Sequence, residues 1–279
     1  VPTAARAAVA LGRSCHPLPS LAVTAAAVLL AAAAGNTAGT CTLVALAVLA
    51  GQLSVGWSND RIDAERDRRV GHEGKPIAAG EVSLPAVDRA IAASLVGTVV
   101  FSLLLGWRAG LLHLAAVAAA WLYNVDLKGT WLSWLPYTVA FGALPAVATL
   151  ALPGHPLPDG WVMGTGALLG TSVNFANALP GLARHPRSDI RGLPDRIGGK
   201  ASLLMAGALL AAAAALVTWA PAGPPKPAGW VCAALTAALL LGGVPTLWRR
   251  AESRAPFYGV LLIAPIVLIV MVLTARPLH

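Results

Sequence analysis

Charged side chains are scarce: they make up 11% of the 279 residues, where a soluble domain carries about 25%. That excludes an ordinary water-soluble globule. Acids are scarcer than bases, with 12 Asp and Glu against 20 Lys and Arg. The resulting net charge of +8 does not point to nucleic acid, because the basic residues stand in separate short loops and form no continuous patch. Cysteine is limited to Cys15, Cys41 and Cys232. They lie far apart, form no CxxC pair and no metal spacing, and build no disulfide framework. They read as small buried apolar residues. Low-complexity segments are missing, as is any polar stretch long enough for a soluble domain.

Apolar length is what the chain has in quantity. Apolar residues make up 57%, and the mean hydropathy is +0.71. Crossing a bilayer takes about 20 such residues per helix. Nine runs qualify as candidates, at 18–35, 38–58, 86–106, 109–125, 132–153, 161–182, 201–220, 228–247 and 256–275. Several are rich in Ala, which lets helices approach closely in lipid. The fold class expected is therefore all-α: a polytopic membrane protein of nine transmembrane helices, in a single integral-membrane domain over 1–279. The first run follows Arg6 and Arg13 and is read as a span, not a cleaved signal, because losing it would disturb the charge pattern.

That pattern sets the orientation. With nine spans and the N-terminus inside, 17 of the 20 Lys and Arg fall on the inner side, leaving Arg108, Lys226 and Arg276 outside. All acids except Asp159 fall inside as well. The positive-inside rule then places the N-terminus in the cytoplasm, with the protein in a bacterial-type plasma membrane and its chemistry on the cytoplasmic face.

The chemistry gathers in residues 52–80, where an apolar run turns into the most charged segment of the chain. Asn59, Asp63 and Asp67 are spaced by four, and Asp60 precedes Asp63 by three. In a helix these spacings share one stripe. Carboxylates so close repel one another, and a hard cation such as Mg2+, shared with a substrate phosphate, relieves that. Arg66, Arg68, Arg69 and Lys75 follow at once. Carboxylates for a metal beside cations for an anion suggest a diphosphate site. Two further inner segments carry polar groups: Tyr123 to Lys128, and the long segment 174–200, where Asn174 and Asn177 are expected to face the bundle interior. Trp57 is a candidate for a cavity wall. Most other tryptophans read as interfacial anchors, and His113 as a core histidine with its hydrogen bonds met.

These residues resemble the UbiA superfamily of intramembrane prenyltransferases, and the resemblance covers most of the chain. Asn59-Asp60-x-x-Asp63-x-x-x-Asp67 has the form of that family's first acidic motif, NDxxDxxxD. Lys75-Pro76-Ile77-Ala78-Ala79-Gly80 is similar to its (R/K)P(I/L)xxG element, and Tyr123 with Lys128 to its YxxxxK element. The resemblance implies Mg2+ as cofactor on Asp60, Asp63 and Asp67, with Asp63, Asp67 and Lys128 catalytic. It implies Asn59, Lys75, Tyr123, Asn177, Arg184, Arg187 and Arg191 around an isoprenyl diphosphate donor. The partners implied are that donor, a lipophilic or aromatic acceptor and membrane lipid.

The second acidic motif departs from the family pattern. Its tail survives as Arg191-Gly192-Leu193-Pro194-Asp195-Arg196-Ile197-Gly198, and Asn177 keeps its place. Gly181 and His185 stand where the resemblance calls for aspartates, and Pro180 and Pro186 are expected to bend or end the helix. Three outcomes stay open. One metal acts with Arg184, Arg187 and His185 on the diphosphate; Asp189 is recruited; or activity is lost. The readings carried forward are a prenyltransferase, a UbiA-type terpene cyclase that needs no acceptor, and a catalytically degenerate homologue. A transporter would place ionisable groups at mid-membrane, whereas here they cluster at one face.

Overall fold

The computed structural model describes residues 4–69, 74–184, 191–251 and 253–275. Among these residues there is no strand. Eleven α-helices follow in order: α1 (Ala4–Ser14), α2 (Pro17–Ala33), α3 (Ala38–Arg69), α4 (Leu84–Leu104), α5 (Trp107–Val125), α6 (Leu135–Leu150), α7 (Gly160–Arg184), α8 (Leu193–Ile197), α9 (Gly199–Trp219), α10 (Pro227–Leu247) and α11 (Ala255–Thr274). All except α1 and α8 coincide with the nine apolar runs. Five of them, α3, α4, α9, α10 and α11, are long and apolar enough by themselves to cross a membrane. α1 and α2, bent 61° apart, make a sixth if taken as one span. α6 has 16 residues, so it is about 24 Å long and shorter than the ~30 Å hydrocarbon core.

Large apolar side chains face outward as well as inward. Val96, Leu241 and Leu262 are all well exposed, on helices whose inner faces pack tightly. A helix apolar all round belongs in lipid. Small residues set the spacing between helices. A Cβ on Gly110 of α5 would lie 2.5 Å from the Ser102 carbonyl oxygen of α4, and one on Gly166 of α7 would lie 2.5 Å from that of Phe141 in α6. α3 packs on α2, α4 and α5; α7 packs on α6, α9 and α11. Leu30, Val44, Val147, Leu210 and Met271 lie in the buried core between them.

α3 runs past the expected end at 58 to Arg69. Its apolar pattern stops, but ion pairs at helical spacing carry it on: Asp63–Arg66 at 2.8 Å, Glu65–Arg68 at 3.7 Å and Glu65–Arg69 at 3.9 Å. α7 likewise continues through Pro180 to Arg184, so that proline does not end the helix. Because the helices alternate in direction, the start of α2 and the ends of α3, α5 and α7 lie at one end of the bundle. The other end is tied by Lys226 Nζ donating to the Thr274 carbonyl at 3.1 Å and Asn36 Nδ2 to that of Ala148 at 2.8 Å.

Candidate active site

The charged extension of α3 puts Asp60, Asp63 and Asp67 on one stripe, and all three are buried. Burying carboxylates unpaired is costly, and each has a cation. Lys75 Nζ lies 3.0 Å from Asp60 Oδ1 and 2.9 Å from Asp67 Oδ2. Lys128 Nζ donates to Asp63 Oδ1. Arg66 reaches Asp63 Oδ2 at 2.8 Å and Asp67 Oδ1 at 3.9 Å. His16 Nε2 lies 3.2 Å from Asp60 Oδ1. Among the described residues, Lys75 is the one cation set against the buried Oδ2 of Asp67.

Lys75 is delivered by a compact turn. Ala79 N donates to the Lys75 carbonyl at 2.9 Å, Glu81 N to that of Pro76 at 2.9 Å, and Gly80 N to that of Ile77 at 3.2 Å. Gly80 has φ 73, which a residue with a Cβ adopts only at a cost. Ile77 anchors the turn in a small core with Ala10, Ala64, Val82 and Val87. Burial works against the charge on Lys75, yet Asp60 and Asp67 outweigh it and raise its pKa above the ordinary lysine value. Lys128 stands in a single 3-10 turn, Leu127–Gly129, after α5. Its burial lowers its pKa, and Arg66 and Lys75 push the same way against Asp63.

Tyr123 lies on the last turn of α5, with its ring edge-on to Tyr137 at 5.3 Å. Tyr137 is within hydrogen-bond reach of both Tyr123 and Asn177, so Asn177 of α7 comes into the same neighbourhood. Asn59 is half-buried beside the carboxylate stripe. Asn174 is fully buried one turn from Asn177. Its Nδ2 donates to the Ser133 carbonyl at 3.3 Å, and its Oδ1 has no partner.

The segment after α7 docks on the Lys128 turn. Leu193 N donates to Ser133 Oγ at 2.9 Å. A Cβ on Gly192 would meet the Lys128 carbonyl oxygen at 2.7 Å, so only glycine fits there. Arg196 donates to the carbonyls of Arg191 and Gly129, at 2.9 and 3.3 Å, and lies over the Trp131 ring. Asp195 accepts from its own Gly192 N–H at 2.9 Å, which commits it to closing α8. Burial raises its pKa. Arg191 is exposed at the rim. Arg184 ends α7, and its side chain is not among those described. Arg187, His185, Pro186 and Asp189 lie outside the described residues. Gly181 is exposed, and a Cβ there would have nothing within 4 Å of it.

Trp57, expected at a cavity wall, is half-buried. Its indole N–H donates to the Leu11 carbonyl at 2.9 Å and fastens α1 to α3. His113 is buried, with Nδ1 2.7 Å from Ser102 Oγ, as the sequence suggests. His16, Tyr137 and Ser133 escape sequence reading. Each acts through contacts across tens of residues and lacks a local motif. Two adjoining grooves of about 470 and 440 Å³ run along α4 and α5, sharing Leu95 and Trp121. The second is edged by Ser58, Arg61 and Ile62, which lie on the face of α3 opposite the carboxylates.

A sequence model described as the UbiA prenyltransferase family matches residues 20–264. Among solved structures, a UbiA homologue from Aeropyrum pernix K1 superposes with a TM-score of 0.72 at 20% identity, covering 91% of this chain and 97% of that one. A UbiA homologue from Archaeoglobus fulgidus, solved bound to GPP and Mg2+, gives 0.73 at 13% identity, covering 96% and 99%. A digeranylgeranylglyceryl phosphate synthase gives 0.68 at 16% identity, covering 96% of each chain. At these identities the likeness is one of fold. No curated protein sequence matches the chain.

Proposed function

Because the chain belongs to the UbiA prenyltransferase family, we propose that it moves an isoprenyl group from a prenyl diphosphate to a lipophilic or aromatic acceptor, at the cytoplasmic end of a nine-span bundle. The observation that carries this is the buried stripe of Asp60, Asp63 and Asp67 faced by Lys75 and Lys128. Support also comes from the structural relative solved with GPP and Mg2+. The cytoplasmic assignment takes its support from the charge asymmetry of the loops.

The donor set suits Mg2+. Among the described residues no three carboxylate, imidazole or thiolate groups converge as a closed cage. Mg2+ seldom uses one, and is held by one or two carboxylates together with substrate phosphate. Asp67 Oδ2, which among the described residues faces Lys75 alone, becomes an oxygen available for such a role once that lysine turns to the diphosphate, with Asp60 and Asp63 on the same stripe. Bound there, Mg2+ would take up charge on the departing diphosphate.

The chain's own residues do the rest. Lys75 and Lys128 are flexible point charges, here engaged with carboxylates, and each can turn to a diphosphate oxygen as the donor arrives. Arg191 offers a further cation at the rim. The Tyr123–Tyr137 pair and Asn177 stand next to this cluster, where they orient the allylic end. The packed helices exclude water, which would quench an allylic cation.

One observation favours a second reading, a terpene cyclase: the open, acid-free position at Gly181, where no acceptor need be accommodated. The same experiment separates the two. Purified protein in nanodiscs is given Mg2+ and prenyl diphosphates from geranyl to geranylgeranyl, with and without a quinone-precursor or glyceryl phosphate acceptor. Diphosphate release that needs acceptor supports transfer, and hydrocarbon formed without acceptor supports cyclisation. Full turnover in Asp63→Asn sinks both.

A further inference from the structure

His16 joins α1 to α2 in a left-handed conformation, φ 53 and ψ 65. Two rules oppose that. A residue with a Cβ avoids positive φ, and the residue before a proline, here Pro17, favours an extended backbone. The surroundings hold it there nonetheless. Ser20 N donates to the His16 carbonyl at 3.1 Å, and Ser20 Oγ to that of Cys15 at 2.9 Å. Cys15 lies so close on Gly56 that a Cβ there would be 2.5 Å from its carbonyl oxygen. Gly56 and Asp60 are one helical turn apart, so seating Cys15 on the first places His16 over the second. Strain held in this way is a mark of function.

The imidazole and Lys75 share one oxygen. His16 Nε2 lies 3.2 Å and Lys75 Nζ 3.0 Å from Asp60 Oδ1. Asp60 is buried, whereas the His16 side chain is 44% exposed. Both contacts fall on Oδ1, which leaves Oδ2 for another ligand. If Lys75 turns to diphosphate, Asp60 loses its cation and is free to rotate, unless a second donor holds it.

We propose that His16 is a positioning residue for the diphosphate site: it donates from Nε2 to Asp60 Oδ1 and keeps that carboxylate aimed while Lys75 engages the donor. The proposal rests on the assignment of Asp60 as a Mg2+ ligand made above. Its parts are a strained junction, a pinned backbone and a single hydrogen bond, none of which a sequence motif announces.

The test uses the full chain in nanodiscs and geranyl thiolodiphosphate, a donor that does not ionise readily. Its binding is titrated with Mg2+ by calorimetry, and Tm is measured alongside. Glycine adopts positive φ without penalty, so His16→Gly removes the imidazole while relieving the backbone. The expected result is an equal or higher Tm with the Mg2+ half-saturation raised about tenfold, the scale on which partners of metal ligands act. His16→Gln, which keeps a donor at similar reach, should recover most of it. An unchanged half-saturation in His16→Gly overturns the proposal. So does weakened binding with a lowered Tm that His16→Gln fails to restore, since that marks packing. Asp63→Asn separates the two levels. If it binds with unaltered Mg2+ dependence, the diphosphate site and the role of His16 both fall. If it loses binding while His16→Gly does not, only His16 falls.

Discussion

The ends of α3 and α7 meet at the same face of the bundle and are made differently. At the end of α3, three buried carboxylates are matched by Lys75, Lys128, Arg66 and His16. Around the end of α7, the described residues offer an amide at Asn177 and an open glycine at Gly181, and the nearby Asp195 is occupied in capping α8. Yet the α7 side makes a close backbone fit to the Lys128 turn, with Gly192 against the Lys128 carbonyl and Leu193 N on Ser133. The two ends divide the labour. The α3 side carries the charge, and the α7 side fixes where the Lys128 turn stands.

The largest expected effect tests the charge half of this division. Asp63→Asn is isosteric but removes the carboxylate that pairs with Lys128 and the nearer of the two that pair with Arg66. Turnover should fall on the order of a thousandfold, since several kcal/mol of charge stabilisation are at stake. Asn177→Ala should cost far less, about tenfold. Equal losses, measured as diphosphate release, would contradict the division.

Next comes the geometric half. A methyl on Gly192 would lie 2.7 Å from the Lys128 carbonyl and 2.8 Å from Ser133 Oγ. Gly192→Ala should therefore destabilise by about 1–3 kcal/mol, the usual cost of overpacking, and show as a lowered Tm together with weaker donor binding. A Tm equal to that of the unaltered protein would show that the turn is not held from the α7 side.

A smaller effect probes the place of Gly181 on α7. The space around Gly181 is open, so Gly181→Asp should fold normally and place a carboxylate on the α7 side. Combined with His185→Asp it should add a second Mg2+ event to calorimetric titrations of donor binding. Two events already present in the unaltered protein would mean that other groups complete a second site without these two aspartates. The smallest effect belongs to Asp195. Asp195→Ala should lose about 1 kcal/mol as a missing cap, whereas Asp195→Asn keeps the acceptor and should leave Tm nearly unchanged. A large loss of turnover in Asp195→Asn would give that residue a role beyond the cap.

Much of this is legible in the sequence because the signals are local. Apolar runs of bilayer length mark nine of the helices, to within a few residues except at the end of α3. Asn59, Asp60, Asp63 and Asp67 announce their stripe by spacing alone, and Lys75 and Lys128 follow in short loops. What stays hidden depends on distance in the chain. His16 meets Asp60 across 44 residues, and α1 carries no bilayer-length run to mark it. The bond of Trp57 to the Leu11 backbone carbonyl is hidden too, because a carbonyl partner leaves no trace in side-chain pattern. The extension of α3 to Arg69 comes from ion pairs at a point where hydropathy says stop.

The pairing of Asp63 also has a consequence in time. Its two cations arrive at different moments of synthesis. Arg66 is three residues away, whereas Lys128 is 65 residues on. At about 5–20 residues per second, the ribosome needs roughly 3–13 s to supply that lysine. During those seconds the second half of α3 must settle at the membrane with a carboxylate that lipid will not solvate. Arg66, at 2.8 Å and in the same turn, can cover it as soon as the helix forms, and so serves as the chaperone of that charge before it becomes a neighbour of the finished site.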